Sequence, residues 1–157
     1  GGGQEGDLRS GTENVPAVAA FAEAVRLGLA SREQNIAHLR DLRDYLIDRL
    51  KNTPALSEVR LNLPPVAAPH IVSLTMPRIK SETMLHFLSS KSIYVSSGSA
   101  CSSHDRHLSS AMLAFGLTEP EADTTVRVSF GVQNTRAEID TFLSVLAEGV
   151  TGLIRTR

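Results

Sequence analysis

The sequence predicts an α+β domain, with one small mixed sheet and helices packed mostly on one face. Three observations lead there. At 157 residues and 41% hydrophobic, the chain matches one domain on a prior of roughly 100–200 residues and carries enough apolar side chains for a core. Its hydrophobic period switches repeatedly between helical spacing and alternation. The resulting order is long helix, strands, helix, strand, helix, strand, helix, with no internal repeat and no interior linker long enough to divide it.

Residues 1–14, GGGQEGDLRSGTEN, form a glycine-rich polar arm without apolar periodicity. Val15-Pro16 then opens a run with Val18, Phe21, Ala22, Val25 and Leu29 at helical spacing, Pro16 suiting a first turn. The pattern resumes through Ile36, Leu39, Leu42, Leu46 and Leu50. Gly28 and Ser31 between the two runs leave open one long bent helix or two consecutive ones, ending before Pro54. Val59–Leu63 alternates and meets Pro64-Pro65, and His70–Met76 is a second strand candidate closed by Pro77. Ser81 as N-cap starts a short helix to Leu88. Ile93-Tyr94-Val95 reads as a strand running into the small-residue loop Ser96–Ser103. A helix over Leu108–Phe115 stops near Gly116. Thr125–Phe130 alternates with Val126, Val128 and Phe130 on one face and Thr125, Arg127 and Ser129 on the other. Thr135 with Glu138 makes a capping-box pattern before a last amphipathic helix through Ile139, Phe142, Leu143 and Leu146. The expected division is an arm, 1–14, and one domain, 15–157.

Composition removes several function classes. Low apolar content and one-signed charge mark disordered chains, and neither applies. Sixteen Lys+Arg against seventeen Asp+Glu leave a formal charge of −1, without the basic excess of a phosphate-neutralising nucleic-acid binder. A single cysteine forms no intramolecular disulfide, and a reducing, cytoplasmic setting is expected. Apolar stretches such as Val15–Val25 and Phe142–Val150 are interrupted well short of the roughly 18 residues a bilayer span needs, so no membrane partner is expected. No signal peptide is visible. The start at Gly1-Gly2-Gly3, within loop-like sequence and without Met, predicts a piece of a longer chain.

Three short patterns carry chemistry. In Ser96-Ser97-Gly98-Ser99-Ala100-Cys101-Ser102-Ser103-His104 the cysteine has little bulk around it, so its thiol is expected to be accessible. His104, His107 and a following helix start could lower its pKa toward the reactive thiolate. A buried free cysteine is the alternative. Arg9-Ser10-Gly11-Thr12-Glu13-Asn14 precedes the Pro16 helix, and a hydroxyl, free backbone N–H groups and a guanidinium there would suit an anion. Plain capping by Thr12 or Asn14 is the alternative. Arg127, on a strand whose other face is apolar, could clamp a carboxylate bidentately or simply be solvated. His38, His70 and His86 lie far apart, and with one cysteine they give no zinc-type spacing, so no metal site is expected.

Taken in order and separation, GGGQE…LRSGTEN, SSGSACSS and VRVSFG…NT…EID resemble the C-terminal part of the cysteine desulfurases, pyridoxal-phosphate enzymes of fold type I related to class V aminotransferases. The resemblance runs through essentially the whole chain, and SSGSAC looks like the branch with a long cysteine loop. It implies the C-terminal small domain of a fold type I transferase, with the large cofactor-binding domain outside this chain. Cys101 matches the catalytic cysteine that takes sulfur from substrate L-cysteine, leaving an enzyme persulfide and alanine. Arg127 matches the arginine that holds the substrate α-carboxylate. Thr12 matches the threonine that reaches the cofactor phosphate of a neighbouring subunit, so a homodimer is implied; Arg9, Gly11 and Asn14 fall in the same motif with supporting roles. The persulfide sulfur would pass to an acceptor or iron–sulfur scaffold protein, for iron–sulfur assembly or tRNA thiolation.

The sequence departs from the family pattern in two ways. The Schiff-base lysine lies upstream of GGGQE in the family, and Lys51, Lys80 and Lys91, the only lysines here, stand in no matching context. Gly6-Asp7 also replaces the basic and glycine residues often found at that point. The 157-residue piece alone is therefore expected to be inactive, with apolar surfaces that would face the large domain covered by another copy. The competing readings are a selenocysteine lyase or another lyase or aminotransferase of sulfur amino acids, and a non-catalytic module that binds a sulfur acceptor.

Overall fold

The computed structural model describes residues 3–97 and 110–153. By contacts the chain resolves into two units, residues 1–35 and 36–157, and one continuous helix, α1 (Val15–Lys51), runs from the first into the second. Of the two expected forms the single helix is adopted. Gly28 in its interior costs about 1 kcal/mol relative to Ala, which 37 residues of mostly good helix formers absorb. In the first unit the apolar stripe of this helix is exposed at Val18, Phe21, Val25 and Leu29. Periodicity selects the helix, whereas burial needs a partner surface, and the described residues of this unit hold none. In the second unit Leu42, Leu46 and Leu50, four residues apart, are buried.

After a 3₁₀ turn at Pro54–Leu56 come β1 (Arg60–Asn62), β2 (Ile71–Thr75), α2 (Ser81–Ser90), β3 (Ser96–Ser97), α3 (Ser110–Ala114), α4 (Glu119–Asp123), β4 (Thr125–Ser129) and α5 (Arg136–Gly152). The sheet order is β1-β2-β4-β3, and every pairing is antiparallel. The expected α+β arrangement is present, but the sheet among the described residues is antiparallel rather than mixed. The reason is the place taken by β4. β2 and β3 run in the same direction and flank α2, as in a parallel βαβ unit, but β4 enters between them and opposes both.

One face of the sheet carries Val72, Leu74, Val126 and Val128, which pack with Leu42 and Leu46 of α1, Met84 and Leu88 of α2, and Phe142 and Leu146 of α5. Polar links fix α1 to α5 at the rim of this core. The Tyr45 hydroxyl donates to Asp140 at 2.9 Å, Arg49 Nε donates to the same carboxylate at 3.0 Å, and Arg136 pairs with Asp41 while stacking over the Tyr45 ring.

Three element readings are corrected. The strand expected at Ile93–Val95 starts instead at Ser96, because the backbone before it finishes α2. Ser92 takes a left-handed φ of 62° and donates to Ser89 O at 3.0 Å, while Ile93 N donates to Leu88 O at 3.0 Å. This is the paired bonding that closes a helix C-terminus, and it occupies the Ile93 N–H. The N-cap of α2 is Lys80, not Ser81: Met84 N reaches Lys80 O at 3.1 Å, so the first turn closes one residue early and Ser81 becomes helical. The short helix α4 was not expected, although its signature is in the sequence. Glu121 accepts from both the backbone N–H and the hydroxyl of Thr118 at 2.8 Å, with Pro120 in the first turn. Gly116, at a φ of 69°, ends α3 as expected. Among the described residues no helix is long and apolar enough to cross a membrane.

Candidate active site

Strand alternation places the odd-numbered residues of β2 and β4 on the face opposite the helices. The register joins them into rows. Asn62 faces Ser73, Ser73 faces Arg127, and Arg127 faces Ser96, so one polar row crosses all four strands. A second row, Arg60, Thr75 and Thr125, lies beside it.

Arg127 is exposed on the strand second from the edge, with its backbone held by ladders on both sides. Among the described residues its guanidinium has no ion pair, whereas the other sheet arginine, Arg60, is held by Glu121 at 2.8 Å. A charged, planar donor fork on a fixed strand and without an internal carboxylate partner is suited to an external one. Its neighbour Ser96 leads directly into the cysteine loop. Cys101, His104 and His107 lie outside the described residues.

The first unit carries Thr12. Gly11 turns the chain there at a φ of 107°, a left-handed value at which glycine is favoured. Arg9 Nη1 donates to Gly11 O at 2.8 Å and pairs with Glu13 at 3.7 Å. Asn14 Oδ1 accepts from Ala17 N at 3.1 Å, so the capping alternative holds for Asn14, the N-cap of α1. Thr12 does not cap: its side chain is exposed and its hydroxyl is bonded to no described residue. Asp7, in the dipeptide that departs from the family pattern, takes a φ of 66°, which a short polar side chain tolerates better than most. Its carboxylate lies over Gly3, where an added Cβ would collide with Oδ1.

The first unit therefore supplies a free hydroxyl beside a helix start, which fits a phosphate oxygen. Neither unit supplies the lysine for a Schiff base. Lys80 pairs with Asp123 at 3.9 Å and Lys91 with Glu148 at 3.7 Å, while Lys51 ends α1.

The polar rows were not singled out in the sequence, although Ser73 and Thr75 alternate with Val72 and Leu74 and could have been read as a second, polar face. Four of their members are nearly inaccessible: Thr125 is 0% exposed, Thr75 and Ser73 7% and Asn62 8%. Asn62 Nδ2 donates to Thr75 Oγ1 at 2.8 Å and to Ser73 Oγ at 3.3 Å. The hydroxyls of Thr75 and Thr125 are 2.7 Å apart, and Thr125 Oγ1 donates to Glu121 O at 2.7 Å. The Glu121 carboxyl is held at about 2 rather than the usual 4.5, first by the Thr118 backbone N–H, then by the Thr118 hydroxyl and Arg60. A cavity of about 390 Å³ opens near the end of β4 between Tyr94, Val95, Phe130, Asn134, Glu138 and Phe142; it does not include Arg127. Among the described residues no three His, Cys, Asp or Glu side chains group as a metal site would require.

The family model described as aminotransferase class-V matches residues 3–142. Cysteine desulfurase IscS 1 of Archaeoglobus fulgidus is 37% identical over 147 residues, which cover 93% of this chain and 38% of that protein. Selenocysteine lyase of Homo sapiens is 33% identical over 159 residues, covering 98% of this chain and 35% of that protein. Among solved structures, the NifS-like protein from Rickettsia africae superposes with a TM-score of 0.76 at 30% identity, over 98% of this chain and 39% of that one. The chain thus spans less than two fifths of the length of these proteins.

Proposed function

Because this chain belongs to the class-V aminotransferase family, we propose that it is the C-terminal domain of a pyridoxal-phosphate-dependent cysteine desulfurase, taking sulfur from L-cysteine onto Cys101. The observation that carries this reading is the pairing of Arg127 with Ser96. A guanidinium with no described ion pair stands directly across from the strand that delivers the cysteine loop, so carboxylate capture and sulfur capture share one sheet edge.

Arg127 holds the α-carboxylate of L-cysteine through two parallel N–H···O bonds, which fixes the amino acid in one orientation. Pyridoxal phosphate, when bound, supplies the electron sink for cleavage of the substrate C–S bond. Thr12 donates its hydroxyl to the phosphate, across a dimer interface as the resemblance implies. The Cys101 thiolate attacks the substrate sulfur. An S–S bond forms and the C–S bond breaks, its electron pair staying with carbon, which takes up a proton and leaves as alanine. Cys101 then carries a persulfide, and a Ser/Gly loop suits a carrier that collects sulfur at one place and delivers it at another. The acceptor is a sulfur-accepting or iron–sulfur scaffold protein, in the cytoplasm. The lysine that would hold the cofactor is not among this chain's three, so the 157-residue chain with added cofactor is expected to release no alanine from L-cysteine; measurable release would refute that.

The test is intact mass spectrometry of the full-length protein carrying this chain, incubated with cofactor and L-cysteine. A gain of one sulfur, reversed by reductant and absent in Cys101→Ser, is expected. No gain in cofactor-bound protein overturns the reading. The likeness to a selenocysteine lyase supports a second reading, in which L-selenocysteine is cleaved and L-cysteine leaves no persulfide; the same samples distinguish the two.

A further inference from the structure

We propose that Asn62, Thr75 and Thr125 are positioning residues for Arg127: their buried, one-directional hydrogen-bond chain locks β1, β2 and β4 in the register that aims the guanidinium. The inference rests on the reading of Arg127 as the carboxylate clamp. Its direction follows from counting protons. Thr125 has one hydroxyl proton, and it goes to Glu121 O at 2.7 Å. In the 2.7 Å contact between the two threonines the donor must therefore be Thr75, whose oxygen in turn accepts from Asn62 Nδ2 at 2.8 Å. Each hydroxyl gives its proton once and accepts once, and the chain ends on a backbone carbonyl. Arg60 closes the circuit. It belongs to β1, like Asn62, and holds the Glu121 side chain at 2.8 Å.

Two physical consequences follow. A one-residue slip of any strand would turn these groups to the apolar face and strand them without partners, so the chain selects one register. Thr125 lies on the same face of the same strand as Arg127, two residues away, with Thr75 and Ser73 directly opposite the two of them. A shift in how β4 seats on β2 therefore moves the guanidinium, while β3, which precedes Cys101 in the chain, pairs with the other side of β4. Loss of the chain should loosen carboxylate capture more than the sulfur step.

The experiment uses the cofactor-loaded full-length protein and compares Thr125→Val, which keeps shape but removes the hydroxyl, with Thr125→Ser, which keeps the hydroxyl. Thr125→Val is expected to raise KM for L-cysteine about tenfold with kcat within about twofold, and Thr125→Ser to return KM to within about twofold of wild type. Should the valine variant fail to fold, Asn62→Ala removes the first donor alone and is expected to raise KM about threefold in the same pattern. Wild-type KM in Thr125→Val, or a serine variant as impaired as the valine one, overturns the positioning role. A wild-type protein that turns over no L-cysteine overturns the clamp reading and this inference together, which separates the two failures.

Discussion

At the residue scale, Arg127 differs in its setting from the other sheet arginine, Arg60, and from several arginines elsewhere in the described residues. Arg26, Arg49, Arg60 and Arg136 each hold a carboxylate within the chain, and such exposed pairs contribute little to stability. Arg127 holds none among the described residues, so its substitution should leave folding nearly untouched while acting on substrate. Arg127→Lys keeps the charge but loses the planar two-point fork. At about 1.5–3 kcal/mol for a charge-assisted bond, KM for L-cysteine in the full-length protein should rise about 10- to 100-fold with the melting temperature unchanged. An unchanged KM in the lysine variant would show that the guanidinium is merely solvated. Thr12 makes the complementary case. Its neighbours Arg9 and Asn14 are committed to Gly11 O and Ala17 N, so Thr12→Ala should weaken cofactor retention without loosening the start of α1, as absorbance of the bound cofactor and helical circular dichroism would show.

At the scale of elements, α4 has an outsized effect for five residues. Its Glu121 side chain caps Thr118 and binds β1, while its carbonyl receives the hydroxyl of β4. The carboxyl titrates at about 2 in the fold against 4.5 ordinarily, so between those values the unfolded chain binds the extra proton. Stability from this group is therefore complete above about pH 4.5 and is lost as pH falls toward 2. Glu121→Gln retains a capping acceptor but has no charge for Arg60. The variant should melt below wild type at pH 7, and the gap should close as the pH drops through that window. A gap independent of pH would mean that the capping geometry, not the charge, matters. The same element shows why part of the fold was hidden in sequence. Thr118-x-x-Glu121 is a legible capping box, but it precedes no apolar run, so periodicity has nothing to report. Ile93–Val95 failed for the opposite reason, since the first of three β-prone residues was claimed by the terminating bonds of α2. α5 was legible because capping box and apolar period coincide.

At the scale of the whole molecule, sequence motifs single out candidate residues more readily than their arrangement. Thr12 and Arg127 stand out as candidates by residue type and motif. The row Asn62–Ser73–Arg127–Ser96 does not, because it crosses strands in the order β1-β2-β4-β3, and no local pattern says which distant strands become neighbours. α1 is the sharpest example, since one apolar period runs along a helix whose two parts differ in burial. Residues 15–30 have no buried side chain, while Leu42, Leu46 and Leu50 are 1%, 0% and 4% exposed. An uncovered helix is marginal in water, where stability comes mostly from packing an apolar face. Amide exchange of the 157-residue chain should therefore be fast across Val18–Ala30, near the rate of an isolated helical peptide, and slow across Leu42–Leu50, where exchange requires opening the core. If Val18–Ala30 is instead protected as strongly as Leu42–Leu50, and that protection falls on dilution, another copy covers the stripe of Val18, Phe21, Val25 and Leu29. Strong protection independent of dilution would contradict the exposed first unit itself.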